Sequence, residues 1–266
     1  DFSDAILTNA NFTRSLMGSA NLSDATIEKT DFTACNLINA NFSGVELKNV
    51  NLEKAGLSRA IFNGTKFTDV NMVGADLSLT TFDDVDLSKT RLQKAQFAQS
   101  TLDDMNFNGQ DLTEVVFDKG SVSGSRFEKA KLNGASFFDT EVSKNFFKNA
   151  QMLKADFDGA YIFKSIFDNA ELTKANFSSA NIESSAFTGA KMTGANFSGA
   201  VLTKVDFTNA DLTGMKINAD TKMDNVIFDG ADLSNAKIEK FTAKRVFYNN
   251  KTKFPEGFNP RAFGFT

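Results

Sequence analysis

The sequence predicts an all-β solenoid, and two observations carry the prediction: an apolar residue at every fifth position, and a small residue two places before each of them. Stepping by five from Phe2 through Leu7, Phe12 and Met17 to Leu212 and Ile217 gives 44 consecutive positions, all of them Phe, Leu, Ile, Met or Val. Of the 43 small positions from Ala5 to Met215, 21 are Ala, and most others are Ser, Thr, Val, Cys or Gly. On a helix a step of five rotates by about 140° and scatters these residues around the axis. In a straight strand the odd step sends alternate ones to opposite faces. A chain that turns one corner per repeat satisfies both rows. Each central residue and its small neighbour then return to one axis, and the amides pair with the coils above and below at roughly 4.8 Å.

The repeat reads small, then Asn or Asp, then Phe or Leu, then Ser or Thr, then a polar residue or Gly, as in Ala195-Asn196-Phe197-Ser198-Gly199 and Ala210-Asp211-Leu212-Thr213-Gly214. This pattern resembles the pentapeptide-repeat family, whose motif is written A(D/N)LXX, and the resemblance runs from residue 1 to about 240. It implies a right-handed quadrilateral β-helix with four repeats per coil. Such a solenoid would have about 11 to 12 coils and a length of roughly 55 Å.

Residues 20 apart then share a wall. One wall reads Phe107, Phe127, Phe147, Phe167, Phe187 and Phe207, and the opposite one Phe97, Phe117, Phe137, Phe157, Phe177 and Phe197. The two walls between are aliphatic, with Leu102, Val122, Val142 and Ile162 on one and Leu92, Leu112, Leu132 and Met152 on the other, which balances volume in a narrow lumen. In the first coils the assignment is exchanged, since Phe42, Phe62 and Phe82 lie on a wall that later turns aliphatic. A packing junction is expected between about residues 62 and 97. Gln110 and Asn145 fall at inward small positions and are expected to bond the backbone of an adjacent coil.

After Ile217 the register slips by one residue, continuing through Met223, Phe228, Leu233 and Ile238, so a bulge is expected near residues 218–222. Two units follow: a repeat body over 1–240 and an irregular C-terminal capping tail over 241–266. The tail holds both prolines, Pro255 and Pro260, and seven aromatic residues, as a plug for a bare sheet edge should. Its segment Thr252 to Pro260 resembles tails of cyanobacterial and plastid members. That resemblance points to a photosynthetic source, with the thylakoid lumen or chloroplast favoured and a cyanobacterial cytoplasm or periplasm as the alternative. The chain starts at Asp1, already in register and without Met, which suggests an upstream segment removed.

Catalysis is not expected. There is no His to serve as general base, Cys35 is the lone thiol at an inward position, and no phosphate-cradling glycine loop is present. No cofactor or metal site is expected. The formal charge of −4, from 29 basic and 33 acidic residues, gives no basic field for nucleic acid. No run of about 18 apolar residues suggests a membrane span.

Function should lie where outward positions break the pattern. Phe146, Tyr161, Phe163 and Ile166, extended by Val201, are apolar where polar residues are the rule, and form the candidate partner surface. Asp83 and Asp84 stack with Asp103 and Asp104 on the same wall as a candidate acidic patch. The leading expectation is a non-catalytic protein-binding or scaffold protein that docks on a larger complex, photosynthetic or thylakoid-associated. The alternatives are a DNA-mimicking modulator of a type II topoisomerase such as gyrase, as the family's quinolone-resistance members imply, and a structural solenoid without a dedicated partner. Lys144, Lys164 and Lys204 on the acidic wall weaken the mimic reading. A monomer or an end-to-end dimer is expected.

Overall fold

The computed structural model describes all 266 residues. The chain forms a right-handed, four-sided β-helix of about 12 turns in which almost all pairing is parallel. One sheet holds β1 (Ile6–Thr8), β2 (Thr26–Glu28), β3 (Glu46–Lys48) and β4 (Lys66–Thr68). A short pair follows, β5 (Val70–Asn71) and β6 (Thr90–Arg91). The long sheet then takes β7 (Thr101–Asp103), β8 (Ser121–Ser123), β9 (Glu141–Ser143), β10 (Tyr161–Phe163), β11 (Asn181–Glu183) and β12 (Val201–Thr203). Beyond these, β13 (Lys216–Ile217) pairs with β15 (Lys237–Ile238), while β14 (Lys222–Ile227) and β16 (Thr242–Phe247) extend the long sheet.

Each position of the repeat has a physical job. The central residue points inward and its N–H donates to the next coil, as Phe147 does to the Ile166 carbonyl at 2.7 Å; the Ile166 N–H returns a bond to the Asn145 carbonyl at 2.9 Å. The Asn or Asp before the centre caps its own turn, since Asn196 Oδ1 accepts from the Ser198 N–H and hydroxyl at 3.2 and 2.8 Å. The residue two after the centre turns the corner in the left-handed region, with φ of +57° at Lys144 and +58° at Asn149. For a non-glycine residue that costs roughly 1–2 kcal/mol, which the ladder bonds on either side offset.

The rings stack along the lumen as the wall pattern requires. Phe127, Phe147 and Phe167 are spaced 4.8 and 4.6 Å and lie nearly parallel. Rings of opposite walls meet edge-on, Phe137 with Phe147 at 6.0 Å and 90°. The exchange between walls lies where the rings change sides: the stack of Phe42, Phe62 and Phe82 ends in an edge contact from Phe82 to Phe97, which starts the next stack. The strand-forming wall changes at the same level, from that of Leu47 to that of Leu102.

The slip after Ile217 is a loop, Asn218-Ala219-Asp220-Thr221, which lengthens one coil to 21 residues, so that Val201 pairs with Lys222. Thr221 Oγ1 donates to the Phe197 carbonyl, and Asn218 Oδ1 accepts the Gly199 N–H. The loop recurs at Asn249-Asn250-Lys251-Thr252, where Thr252 Oγ1 reaches the Phe228 carbonyl and Asn249 Oδ1 takes the Gly230 N–H. Residues 241–266, expected to be irregular, open instead with β16, which pairs with β14 through Met223 to Ala243 and Val226 to Val246. The period persists, but the sizes are swapped: Ala243 holds a central position and Phe241 the small one before it. Only after the second loop does the tail fold over the end, where Phe265 stacks on Phe228 and a short 3₁₀ turn, Pro260–Phe263, closes it.

Candidate interaction surface

The corner after the long sheet is held by side chains, as is the turn at Thr80, whose N–H goes to the Ser100 hydroxyl. At that corner the inward residue's N–H is not taken up within its own turn, and a side chain of the next coil accepts it: Ser125 Oγ from Met105, Asn145 Oδ1 from Ser125, and Ser165 Oγ from Asn145, at 2.8 to 3.2 Å. The same side chains donate to the coil behind, Asn145 Nδ2 to the Val122 carbonyl at 2.7 Å and Ser165 Oγ to Val142 at 3.1 Å. Ala could do neither, which accounts for Ser or Asn at 125, 145, 165 and 185. Gln110 likewise gives its Nε2 to the Leu87 carbonyl at 2.8 Å.

This fixed corner presents the apolar residues in two pairs. Tyr161 and Phe163 stand side by side on β10, rings 6.1 Å apart and 9° from parallel. Around the corner Phe146 and Ile166 are bridged partners on successive coils. Phe146 is 39% exposed and Tyr161 38%, so neither is covered by the tail. The register through this stretch is unbroken, from Glu141 to Tyr161 to Asn181. Val201 lies two strands from Tyr161 with the polar Asn181 between them, and so flanks the group without joining it. Cations rim the patch: Lys164 Nζ sits 4.8 Å from the Phe163 ring centre, and the Arg126 guanidinium lies 6.0 Å from that of Phe146. Arg126 was not evident as a site residue from the repeat alone, although its column, 20 residues before Phe146, was the available signal.

The acidic residues gather at the start of the long sheet. Asp84, Asp103 and Asp104, joined by Asp86, line a cavity of about 290 Å³. Burial pushes the Asp103 carboxyl above its usual range, helped by the charges of Asp104 and Asp83. No three carboxyl or thiol groups converge closely enough to hold a metal ion. The Cys35 thiol is buried, and burial raises it to about 11, so it is unreactive as a nucleophile. No helix is long and apolar enough to cross a membrane.

Comparison with known proteins bears on this architecture. A family model described as pentapeptide repeat region matches residues 44–117, 142–217 and 160–247, and one described as pentapeptide repeats (8 copies) matches 1–33 and 15–53. Among solved structures, HetL, a pentapeptide repeat protein involved in heterocyst differentiation regulation from the cyanobacterium Nostoc, is 22% identical over 86% of each chain, with a TM-score of 0.40. A pentapeptide repeat protein from the Arabidopsis thaliana thylakoid lumen is 22% identical over 36% of this chain and 67% of its own, with a TM-score of 0.35. QnrB1, a plasmid-mediated fluoroquinolone resistance protein, is 17% identical over 92% of each chain, with a TM-score of 0.33. At these identities and TM-scores none of the three speaks to function. No curated protein matches the chain.

Proposed function

This chain belongs to the pentapeptide-repeat family, and from that premise we propose that it is a non-catalytic docking protein that binds a larger protein complex through the corner carrying Phe146, Tyr161, Phe163 and Ile166. One observation carries the reading: Phe146 and Tyr161 stand exposed, with Ile166 and Phe163 half-buried beside them, on a corner whose geometry the rest of the fold maintains. Apolar groups held in water at fixed positions, with cations at the rim, suit a partner surface that is apolar at its centre and acidic at its border. The non-catalytic part of the reading rests on the absence of His and on the unreactive thiol. The tail sequence favours a photosynthetic complex as the target.

The test is recovery of partners from native extract with the intact chain and with a Phe146→Asp, Phe163→Asp, Ile166→Asp variant whose circular dichroism and melting temperature are first shown to match. A partner lost only with the variant supports the proposal; identical recoveries remove the corner from it. The carboxylates at 83–86 and 103–104 favour a second reading, mimicry of duplex DNA toward a type II topoisomerase. We rank it lower because Lys144, Lys164 and Lys204 interrupt the negative surface on the same wall. Unchanged supercoiling at high protein excess would eliminate it.

A further inference from the structure

The ladder that joins each coil to the next is interrupted on one side of the rod. Over residues 81–89 no backbone N–H donates to either neighbouring coil, and in the coil before them the N–H groups of Phe62, Gly64, Phe67 and Asp69 find no acceptor. Toward the following coil the Leu92 N–H is also unpaired. Two links remain on this side, the bridge of Thr81 to Thr101 and the bond from Gln110 Nε2 to the Leu87 carbonyl at 2.8 Å. The wall of Leu77, Phe97 and Phe117 runs through the same level without a break. There Leu77 donates to the Gln96 carbonyl at 2.7 Å, Leu79 to Ala98 at 2.9 Å, Phe97 to Val116 at 2.7 Å and Gln99 to Asp118 at 2.8 Å. The Phe97 and Phe117 rings stack along it.

The interruption holds space without selecting a ligand. Cavities of about 440 and 370 Å³ open along it, lined by three acids, Asp83, Asp84 and Asp86, and three bases, Arg59, Lys66 and Lys89. The side chains of the detached coil stay in the lumen, since Phe82, Val85 and Leu87 are buried. Apolar contact of this kind is non-directional, whereas a ladder bond fixes distance and angle. The buried side chains therefore keep the two stacks in line while leaving the angle between them free on this side. Both long sheets stop at this level, β4 being the last strand of one and β7 the first of the other.

We propose that residues 81–89 form a one-sided joint, at which the rod flexes about the wall of Leu77, Phe97 and Phe117 and opens on the facing wall, that of Phe67, Leu87 and Phe107. Backbone bonds hold the rung spacing of the first wall, so the change in length falls on the second. Further along the rod, that second wall carries Phe146 and Ile166 on its outer side. Flexing swings residues 1–80 toward or away from the face that presents them, which would let the N-terminal stack adapt to whatever sits there. The joint does not depend on the docking reading, and its test uses no partner.

Spin labels read it in the full chain carrying Cys35→Ser. Three label pairs each span five rungs, about 24 Å. Lys48→Cys with Lys148→Cys crosses the joint on the open wall, Ser58→Cys with Asp158→Cys crosses it on the continuous wall, and Asn108→Cys with Thr208→Cys lies on the open wall beyond it. Pulsed electron resonance should give a distance distribution at least about twofold broader for the first pair than for the third, with the second matching the third. In the unlabelled protein, the amides of Phe67, Asp69, Leu87 and Lys89 should exchange at least about tenfold faster than those of Leu77, Leu79, Phe97 and Gln99. Equal widths for the three pairs, or equal protection on the two walls, overturns the joint. Equal broadening of the first two pairs overturns it as well, since that is a coil melting on all sides and not a hinge.

Discussion

Replacing Phe147 by Ala should be among the most damaging single changes in the molecule, and the structure sets the size. The ring is fully buried, stacked on Phe127 and Phe167 at 4.8 and 4.6 Å and met edge-on by Phe137 at 6.0 Å. Truncating a core Phe to Ala costs about 3–5 kcal/mol, and aromatic pairs add about 0.5–1.5 kcal/mol each beyond area burial. Ladder bonds hold the coils above and below at fixed spacing, so the lumen cannot collapse around the hole. The loss is expected at the upper end, about 5 kcal/mol. Phe82→Ala removes a ring with a looser stack and only one edge contact, in a coil whose backbone is free to settle inward, and should cost about 3 kcal/mol. Urea unfolding of the intact chain and both variants, followed by far-ultraviolet circular dichroism, gives the comparison from the midpoints at a common slope. A Phe82→Ala loss equal to or larger than that of Phe147→Ala would refute the argument that a backbone without ladder bonds, as over residues 81–89, can settle around the hole. A Phe147→Ala loss below about 2 kcal/mol would refute the fixed-width lumen itself.

Three further outcomes can be checked in the same way. Asn145→Ala orphans the Ser125 N–H and the Val122 carbonyl and should lower thermal stability by about 2–3 kcal/mol, whereas Asn145→Ser should recover most of it, since Ser165 Oγ performs both roles one coil on. Gly124→Ala puts a Cβ 2.1 Å from Asp104 Oδ1 at a φ of +62°; the carboxylate can swing away, so a calorimetric loss of about 1 kcal/mol should remain even with Asp104→Ala, reflecting the left-handed backbone alone. The Lys253 ammonium, then the Ser234 hydroxyl, hold the Asp232 carboxyl down at about 2 against 3.8. Because the folded value is the lower one, this contribution is present above about pH 4 and is lost as pH falls toward 2. Tyr248 fluorescence should report loosening of the C-terminal end over that window, and Lys253→Met should flatten the response.

Much of the architecture was legible because the lumen has one width. A position that must fill that width accepts few residue types, so Phe107 and Phe97 announce opposite walls from spacing alone. The Phe146 and Tyr161 pairs were legible for the converse reason: outward positions tolerate polarity, and an aromatic residue there is out of place. The tail was misread where sizes were exchanged. Ala243 at a central position and Phe241 before it conserve volume, yet invert the signal by which the period is recognised, so β16 was hidden. The cationic rim at Arg126 needed the coils stacked before its neighbour Phe146 was visible. The ring exchange announced a packing junction near residues 62–97, but periodicity reports which side chains point inward and is silent on whether the backbone between them reaches its neighbour, as that of residues 81–89 does not.

The rung spacing makes the molecule a ruler. Three strand steps separate β7, with Asp103, from β10, with Tyr161, a distance of about 14 Å, and four more steps lead from β10 through β14 to β16 in increments of the same size. Distances between surface features therefore come in whole rungs, at a bearing that changes only with the slow twist of the stack. Inserting or deleting one 20-residue coil between two features would move them apart or together by about 4.8 Å while leaving both on their original walls. The two 21-residue coils, at Asn218 and Asn249, break that regularity only beyond Ile217, leaving the graduated portion between β7 and β12 uniform.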